Sequence, residues 1–189
     1  MAQAQQAPAV KPGITTWNID PAHSNAQFSV RHMMISNVRG EFTKVSGKAQ
    51  FDQHNPSAGF SVEATIDVNT INTREPDRDK HLKSPDFFDA EKYPTITFKS
   101  TGAEKSPDGL KLRGELTIHG ITREVTLGVE GPTPPTKDPW GNTRVGASAT
   151  TKINRKDFGL TWNQALETGG ILVGEEVKIT IDVELVAET

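Results

Sequence analysis

A chain of 189 residues with 21 Lys plus Arg against 24 Asp plus Glu, a formal charge of −3, has room for a substantial interior and no electrostatic footprint for nucleic acid. It has no cysteine, which excludes disulfides, thiolate catalysis and cysteine-based metal sites, and no run of about 18 apolar residues, which excludes a membrane-spanning helix. Hydrophobic residues make up only 34%, with 12 Pro and 16 Gly dispersed, a composition that suits an all-β shell whose strands keep one face wet.

In chain order, residues 1–13 read as a small, polar leader without a positive n-region or apolar h-region, so they are not an intact signal peptide. Ala2-Gln3-Ala4 looks like the tail of a cleavage site, and the expectation is a mature periplasmic protein carrying a starter Met, with a cytoplasmic leader as the alternative. One domain is expected over 14–189. Period-2 alternation starts at Trp17 and Ile19 and continues through Phe28, Val30, His32 and Met34. Val38, Gly40 and Phe42 keep an even phase, but Val45, Gly47, Ala49 and Phe51 are odd; the flip predicts a bulge or sharp bend near Thr43 to Val45. Phe60, Val62, Ala64, Ile66 and Val68 form the next stripe.

The segment from Asp77 to Ser100 changes character. A charged run predicts one short helix over about 74–83, capped by Asn72 or Thr73, with Pro76 in its first turn and a stop at Ser84-Pro85. A helix of ~10 residues is unstable alone and must lie on the rest of the chain. Ile96 and Phe98 follow, then a Pro107-Asp108-Gly109 turn, then a hairpin about His119-Gly120 pairing 118 with 121, 114 with 125, 112 with 127 and 110 with 129. Gly131 to Asn142 reads as a loop; Val145, Ala147, Ala149, Thr151 and Ile153 as a strand; 155–166 as turn-like and open to a helical turn; Val177, Ile179, Ile181, Val183 and Leu185 as the last strand. Roughly eight or nine strands with a single helix leave sandwich or barrel, and long strands with one apolar face favour closure. The expected fold is an extended, eight-stranded, lipocalin-like antiparallel β-barrel able to hold a ligand.

No His pair has helical metal-site spacing, and there is no Gly-x-Ser-x-Gly elbow or phosphate-binding glycine pattern, so neither a metal nor a cofactor is expected. His32 falls on the apolar face, either as a hydrogen-bonded interior histidine or as a contact for a ligand head. Arg123 occupies an apolar slot opposite Leu116, either with its charge in water or holding a phosphate or carboxylate. Only the loop from Asp86 to Asp89, around Phe87 and Phe88, offers carboxylates apolar neighbours that could tune them for catalysis. Gly114, Ala147, Ala149, Ala64 and Ala49 point with the large residues and leave a slot that a long apolar molecule would fill.

In this order, Trp17-Asn-Ile-Asp20 with His23-Ser24, Phe28-Ser-Val-Arg-His32, Val38-Arg-Gly-Glu-Phe42, Arg78-Asp-Lys-His-Leu-Lys-Ser84 with Asp86-Phe-Phe-Asp89, Tyr93-Pro-Thr-Ile-Thr-Phe98, Gly114-Glu-Leu-Thr-Ile-His-Gly-Ile-Thr122 and Ile153-Asn-Arg-Lys-Asp-Phe-Gly159 resemble the YceI-like family of bacterial lipid-binding proteins. The resemblance implies a lipocalin-like barrel whose lumen takes a polyisoprenoid or similar amphiphile, usually in the periplasm. It supplies no catalytic set. A homodimer rests on the resemblance alone.

The expected function is to carry or sequester a long-chain lipid of polyisoprenoid, isoprenoid quinone or fatty-acid amide type. The alternatives are an enzyme acting on such a lipid, or a filled structural barrel that binds a protein. The expected lining is Phe28, Val30, Phe60, Ile66, Phe98, Leu116, Val145, Ile179 and Ile181, with Phe87, Phe88, Phe158 and Trp162 closing an end and His32 or Arg123 meeting the head.

Overall fold

The computed structural model describes residues 13–189, so the leader expected over residues 1–13 lies, Gly13 apart, outside the described residues. In chain order the elements are β1 (Ile14–Ile19), β2 (Asn25–His32), β3 (Ser36–Phe42), β4 (Val45–Asp52), β5 (Ser61–Asp67), β6 (Ile71–Asn72), α1 (Pro76–Lys83), β7 (Thr95–Ser106), β8 (Gly109–Ile118), β9 (Ile121–Glu130), β10 (Thr136–Lys137), β11 (Thr143–Asn154) and β12 (Val173–Ala187).

All strand pairs are antiparallel, and β1, β4, β5, β7, β8, β9, β11 and β12 close into an eight-stranded ring. The 15-residue β12 closes it. One of its edges pairs with β11 from Glu176 to Val186, and the other is shared between β2, from Val173 to Asp182, and β1, from Leu185 to Ala187. β1 and β2 therefore act as one bent strand of the wall, as do β3 and β4. The phase flip expected in the sequence sits at Thr43 and Lys44, where β3 ends and β4 begins. There the two N–H groups donate to Thr70 Oγ1 at 3.1 and 3.3 Å, so a hydroxyl replaces the missing rungs of the ladder.

The β8–β9 hairpin has the expected register, with Ile118 opposite Ile121 and Leu110 opposite Val129. His119 and Gly120 both have positive φ, the turn that matches strand twist. The stretch from Gly131 to Asn142, expected as a loop, contains the two-residue β10, paired with β11.

α1 starts later than expected and is capped by Glu75, which accepts from the Asp77 N–H; Pro76 is its first residue and Ser84 its C-cap. Asn72 and Thr73 cannot cap it because the chain turns again at Arg74, whose φ is +69°. Thr73 is instead a buried anchor: its N–H and hydroxyl meet Asp79 Oδ1, while Arg78 donates to its hydroxyl and carbonyl oxygens at 2.8 and 2.7 Å. These bonds hold a short, polar helix that buries no residue of its own at the end of the barrel where β6 and β7 are not paired. Near residue 155 the chain forms a 3-10 turn, Arg155–Phe158, ended by Gly159 in the left-handed region.

One end of the barrel is packed solid. Trp17 stacks on Phe51 at 5.2 Å, and Phe51 on Phe60 at 5.3 Å, with Leu110, Val145 and Leu185 buried among them. Outside that end, Arg144 donates to Asp20, Asp138 and Glu184.

Candidate functional site

A cavity of about 340 Å³ runs from the packed end toward the end that carries α1, the β2–β3 turn and the strap joining β11 to β12. The lining of that cavity is predominantly apolar, which suits an apolar occupant.

The walls follow from strand alternation. Val177, Ile179, Ile181 and Val183 of β12 face Ala147, Ala149, Thr151 and Ile153 of β11 on the same inner surface. Ala49, Ala64, Ala147 and Ala149 keep the bore open as the sequence implied. Gly114 does so differently. The Phe98 ring lies where its Cβ would be, and the Phe28 ring lies over Gly40 in the same way. Two large rings are thereby pressed flat against the wall, and the slot expected at Gly114 is already filled by Phe98.

Of the residues expected to meet a ligand, Phe28, Val30, His32, Phe60, Ile66, Phe87, Phe88, Phe98, Leu116, Trp162, Ile179 and Ile181 line the cavity, and Arg123, Val145 and Phe158 do not. Val145 sits in the packed end and Phe158 is the last residue of the 3-10 turn, both buried. Arg123 shares a face with Leu116 but lies two residues from the hairpin tip, and its side chain folds outward to donate to the Thr122 carbonyl. Met34, expected to continue the inner stripe after His32, is instead in the β2–β3 turn and exposed.

The open end holds the groups that sequence reasoning missed. Arg78, His81 and Leu82 all line the cavity. Their i, i+3, i+4 spacing on one helix face was the available signal, masked by the charge of the run. His81 is edge-on to Phe87 at 5.1 Å and to Trp162 at 4.9 Å, and its Nε2 lies 2.9 Å from Asp86 Oδ2. These three rings form a half-open aromatic collar. Arg155, 4% exposed, is the other missed residue. It donates to the carbonyls of Leu160, Trp162, Val173 and Gly174 at 2.6 to 3.2 Å, and Asn163 pairs with the Val173 backbone in both directions. The strap is thus gripped from inside. Burial pushes the Arg155 guanidinium below its usual value, against the pull of Glu175.

Among the described residues, the ionisable ones that line the cavity are all basic: Arg31, His32, Arg78, His81 and Arg155. Among the described residues no carboxylate lines the cavity; of the loop from Asp86 to Asp89, Asp86 reaches its edge through His81 Nε2 at 2.9 Å. At the packed end, Asp20, His23 and Glu184 bring potential metal-ligand atoms within 4.8 Å of one another. Arg144 Nη1 already lies 2.7 Å from Asp20 and 3.1 Å from Glu184, which makes the group an ion-pair network. Hydrogen bonds from Arg144 and then from His23 lower the Asp20 carboxyl to about 2, and Arg144 lowers Asp138 likewise to about 2.

A family model described as a YceI-like domain matches residues 17–185. A UPF0312 protein of Staphylococcus aureus strain N315 is 39% identical over 172 residues, covering 90% of this chain and 97% of that protein. Among solved structures, the Campylobacter jejuni YCEI protein superposes with a TM-score of 0.69 at 33% identity, covering 84% of this chain and 90% of the other. Burkholderia cenocepacia BcnA gives 0.72 at 24% identity, covering 88% and 98%, and a polyisoprenoid binding domain from Saccharophagus degradans gives 0.66 at 15%, covering 92% and 99%. The last two share the fold. Because the family model spans residues 17–185 and the 39% identical relative is covered almost end to end, the chain belongs to the YceI-like family.

Proposed function

We propose that this protein binds a long-chain apolar lipid inside the barrel and carries or sequesters it without chemical change. The observation that carries this reading is the closed bore, apolar along its walls, plugged by Trp17, Phe51 and Phe60 at one end and collared by His81, Phe87 and Trp162 at the other. The tail enters the bore and the head stays at the collar, where Arg78, His81, Arg155 and His32 supply only cationic or hydrogen-bonding groups. A head with acceptor oxygens suits that setting: a hydroxyl, a carbonyl or a phosphate. Each buried CH₂ contributes ~0.8 kcal/mol, so a tail of about twenty carbons supplies ample driving force before ordering costs. Apolar walls discriminate weakly, and the polyisoprenoid binding named for the Saccharophagus domain is one member of the class this chain would accept.

Native mass spectrometry of the purified chain tests the reading. A co-purifying lipid, released by denaturation and taken up again by the delipidated protein, is the expected result. A protein that leaves every source without lipid and binds none afterwards refutes it. Recovery of altered lipid after incubation would favour an enzyme instead. We further propose that the chain acts in the periplasm, as the motif resemblance to the YceI-like family implies; native protein recovered from the cytosolic fraction would refute it.

A further inference from the structure

The β2–β3 turn is built against ordinary turn chemistry. His32, Met33, Met34 and Ile35 form it, closed by the Ile35 N–H to the His32 carbonyl at 3.1 Å, and both central residues are left-handed, with φ of +52° and +62°. Asn and Gly are the residues that adopt this geometry readily, as Gly120 does at the β8–β9 tip. Here two methionines are held in it, and their side chains are turned out to solvent. Met33 is 42% exposed, Met34 59% and the adjoining Ile35 74%, the largest run of exposed apolar side chains among the described residues. Strained backbone that displays apolar surface is retained for something other than folding.

Position says what that is. The wall between β5 and β7 stops at Asp67 opposite Thr95, whereas β2 and β3 continue up to His32 opposite Ser36. The tip therefore rises above the β5–β7 side of the open end, level with the start of β12, where Val173 lies opposite His32. It is also coupled to that end: the Met33 N–H donates to the Leu172 carbonyl at 2.8 Å, Met34 packs over Gly170, and His32 and Leu172 both line the cavity. Arg31, exposed beside it, donates to the Met34 carbonyl at 3.1 Å and leaves the rest of its guanidinium free for an anion.

We propose that Met33, Met34 and Ile35 form a wedge that docks the open end of the barrel on a phospholipid bilayer, with Arg31 at the level of the headgroup phosphates. Size decides for a bilayer over a protein. Three side chains expose on the order of a few hundred Å², short of the ~800 Å² per partner of a specific protein interface, yet enough to seat in the headgroup and acyl boundary. Unbranched methionines adapt to such a fluid surface. The proposal goes beyond cargo binding and stands or falls separately from it.

The chain has no cysteine, so single labels are clean. Ile35→Cys and Lys137→Cys, the second on β10 at the packed end, are each labelled with an environment-sensitive nitrobenzoxadiazole. They are mixed with protein-free vesicles of phosphatidylethanolamine and phosphatidylglycerol. The expected result is a blue shift and brightening at position 35 with none at 137. In unlabelled full-length protein, Met34→Asp with Ile35→Asp is expected to lower vesicle co-flotation at least tenfold while lipid uptake by the delipidated barrel is unchanged. Met33→Asn with Met34→Gly keeps the turn in its favoured chemistry. It is expected to raise the melting temperature yet weaken flotation, an outcome a purely structural turn would not give. Equal responses at 35 and 137, or flotation indifferent to both double variants, overturn the proposal. So does a shift at 35 that requires membrane proteins, which would make the tip a protein-docking site.

Discussion

Ala149→Leu separates an open bore from a filled one. Ala149 sits midway along the inner wall, opposite Ile181 on β12 and Val129 on β9, and its side chain ends at the cavity. In the delipidated protein the substitution adds three carbons that project into the cavity. At ~0.8 kcal/mol per carbon it stabilises by about 2 kcal/mol, a rise in melting temperature of roughly 4–8 °C for a chain of this length. In the lipid-loaded protein the same carbons collide with the tail, so loading is expected to weaken by about tenfold or more and the stabilisation to disappear. Thermal unfolding of delipidated and loaded protein, paired with titration of a fluorescent lipid analogue, reads both effects. The refuting result is a loss of more than about 1 kcal/mol in the delipidated protein, because overpacking at that position would mean the wall has no space behind it.

Gly114→Ala is expected to destabilise by about 2 kcal/mol or more in a urea titration, since its Cβ falls on the Phe98 ring and 2.6 Å from the Lys99 carbonyl oxygen. Adding Phe98→Leu should recover only part of that, because the backbone oxygen remains. Arg155→Met leaves four carbonyls without their donor and is expected to cost on the order of 3 kcal/mol and to open residues 159–172 to limited proteolysis. Arg155→Lys should not rescue the strap, since one ammonium cannot span four carbonyls. The Arg144 network sets an acid limb. Asp20 and Asp138 have folded values of about 2 against 3.8 unfolded, so their contribution is complete above about pH 4 and lost as pH falls toward 2. His23, raised by its hydrogen bond to Asp20, acts oppositely: its contribution is complete below 6.5 and fades as pH climbs through the raised value. Chemical denaturation from pH 2 to 8 should show both limbs in the wild type and a flattened acid limb in Arg144→Gln.

Much of this molecule can be read along the chain because the side-chain period of a strand is two, and a stripe such as Val177, Ile179, Ile181 and Val183 tells which face is inner without reference to any neighbour. The hairpin at His119-Gly120 and the phase break at Thr43 and Lys44 are legible for the same reason. Twelve of the fifteen expected ligand-facing residues line the cavity on that rule. It fails wherever height along the barrel matters. Val145 has the correct face but lies in the plug, and Arg123 has the correct face but lies at the rim. Met34 continues the stripe in number, yet the strand has already turned, and no Gly or Asn announced the turn.

Alternation and composition, then, determined that the chain makes long antiparallel strands with one oily side, because those are properties of neighbours in sequence. Which oily residues would pack and which would border a void was decided only on closure. A void is what remains when rings such as Phe98 and Phe28 fold back over glycines on adjacent strands. The basic collar is of the same kind: Arg78, His81 and Arg155 come from a helix and a turn more than seventy residues apart, and only the closed barrel brings them to one opening.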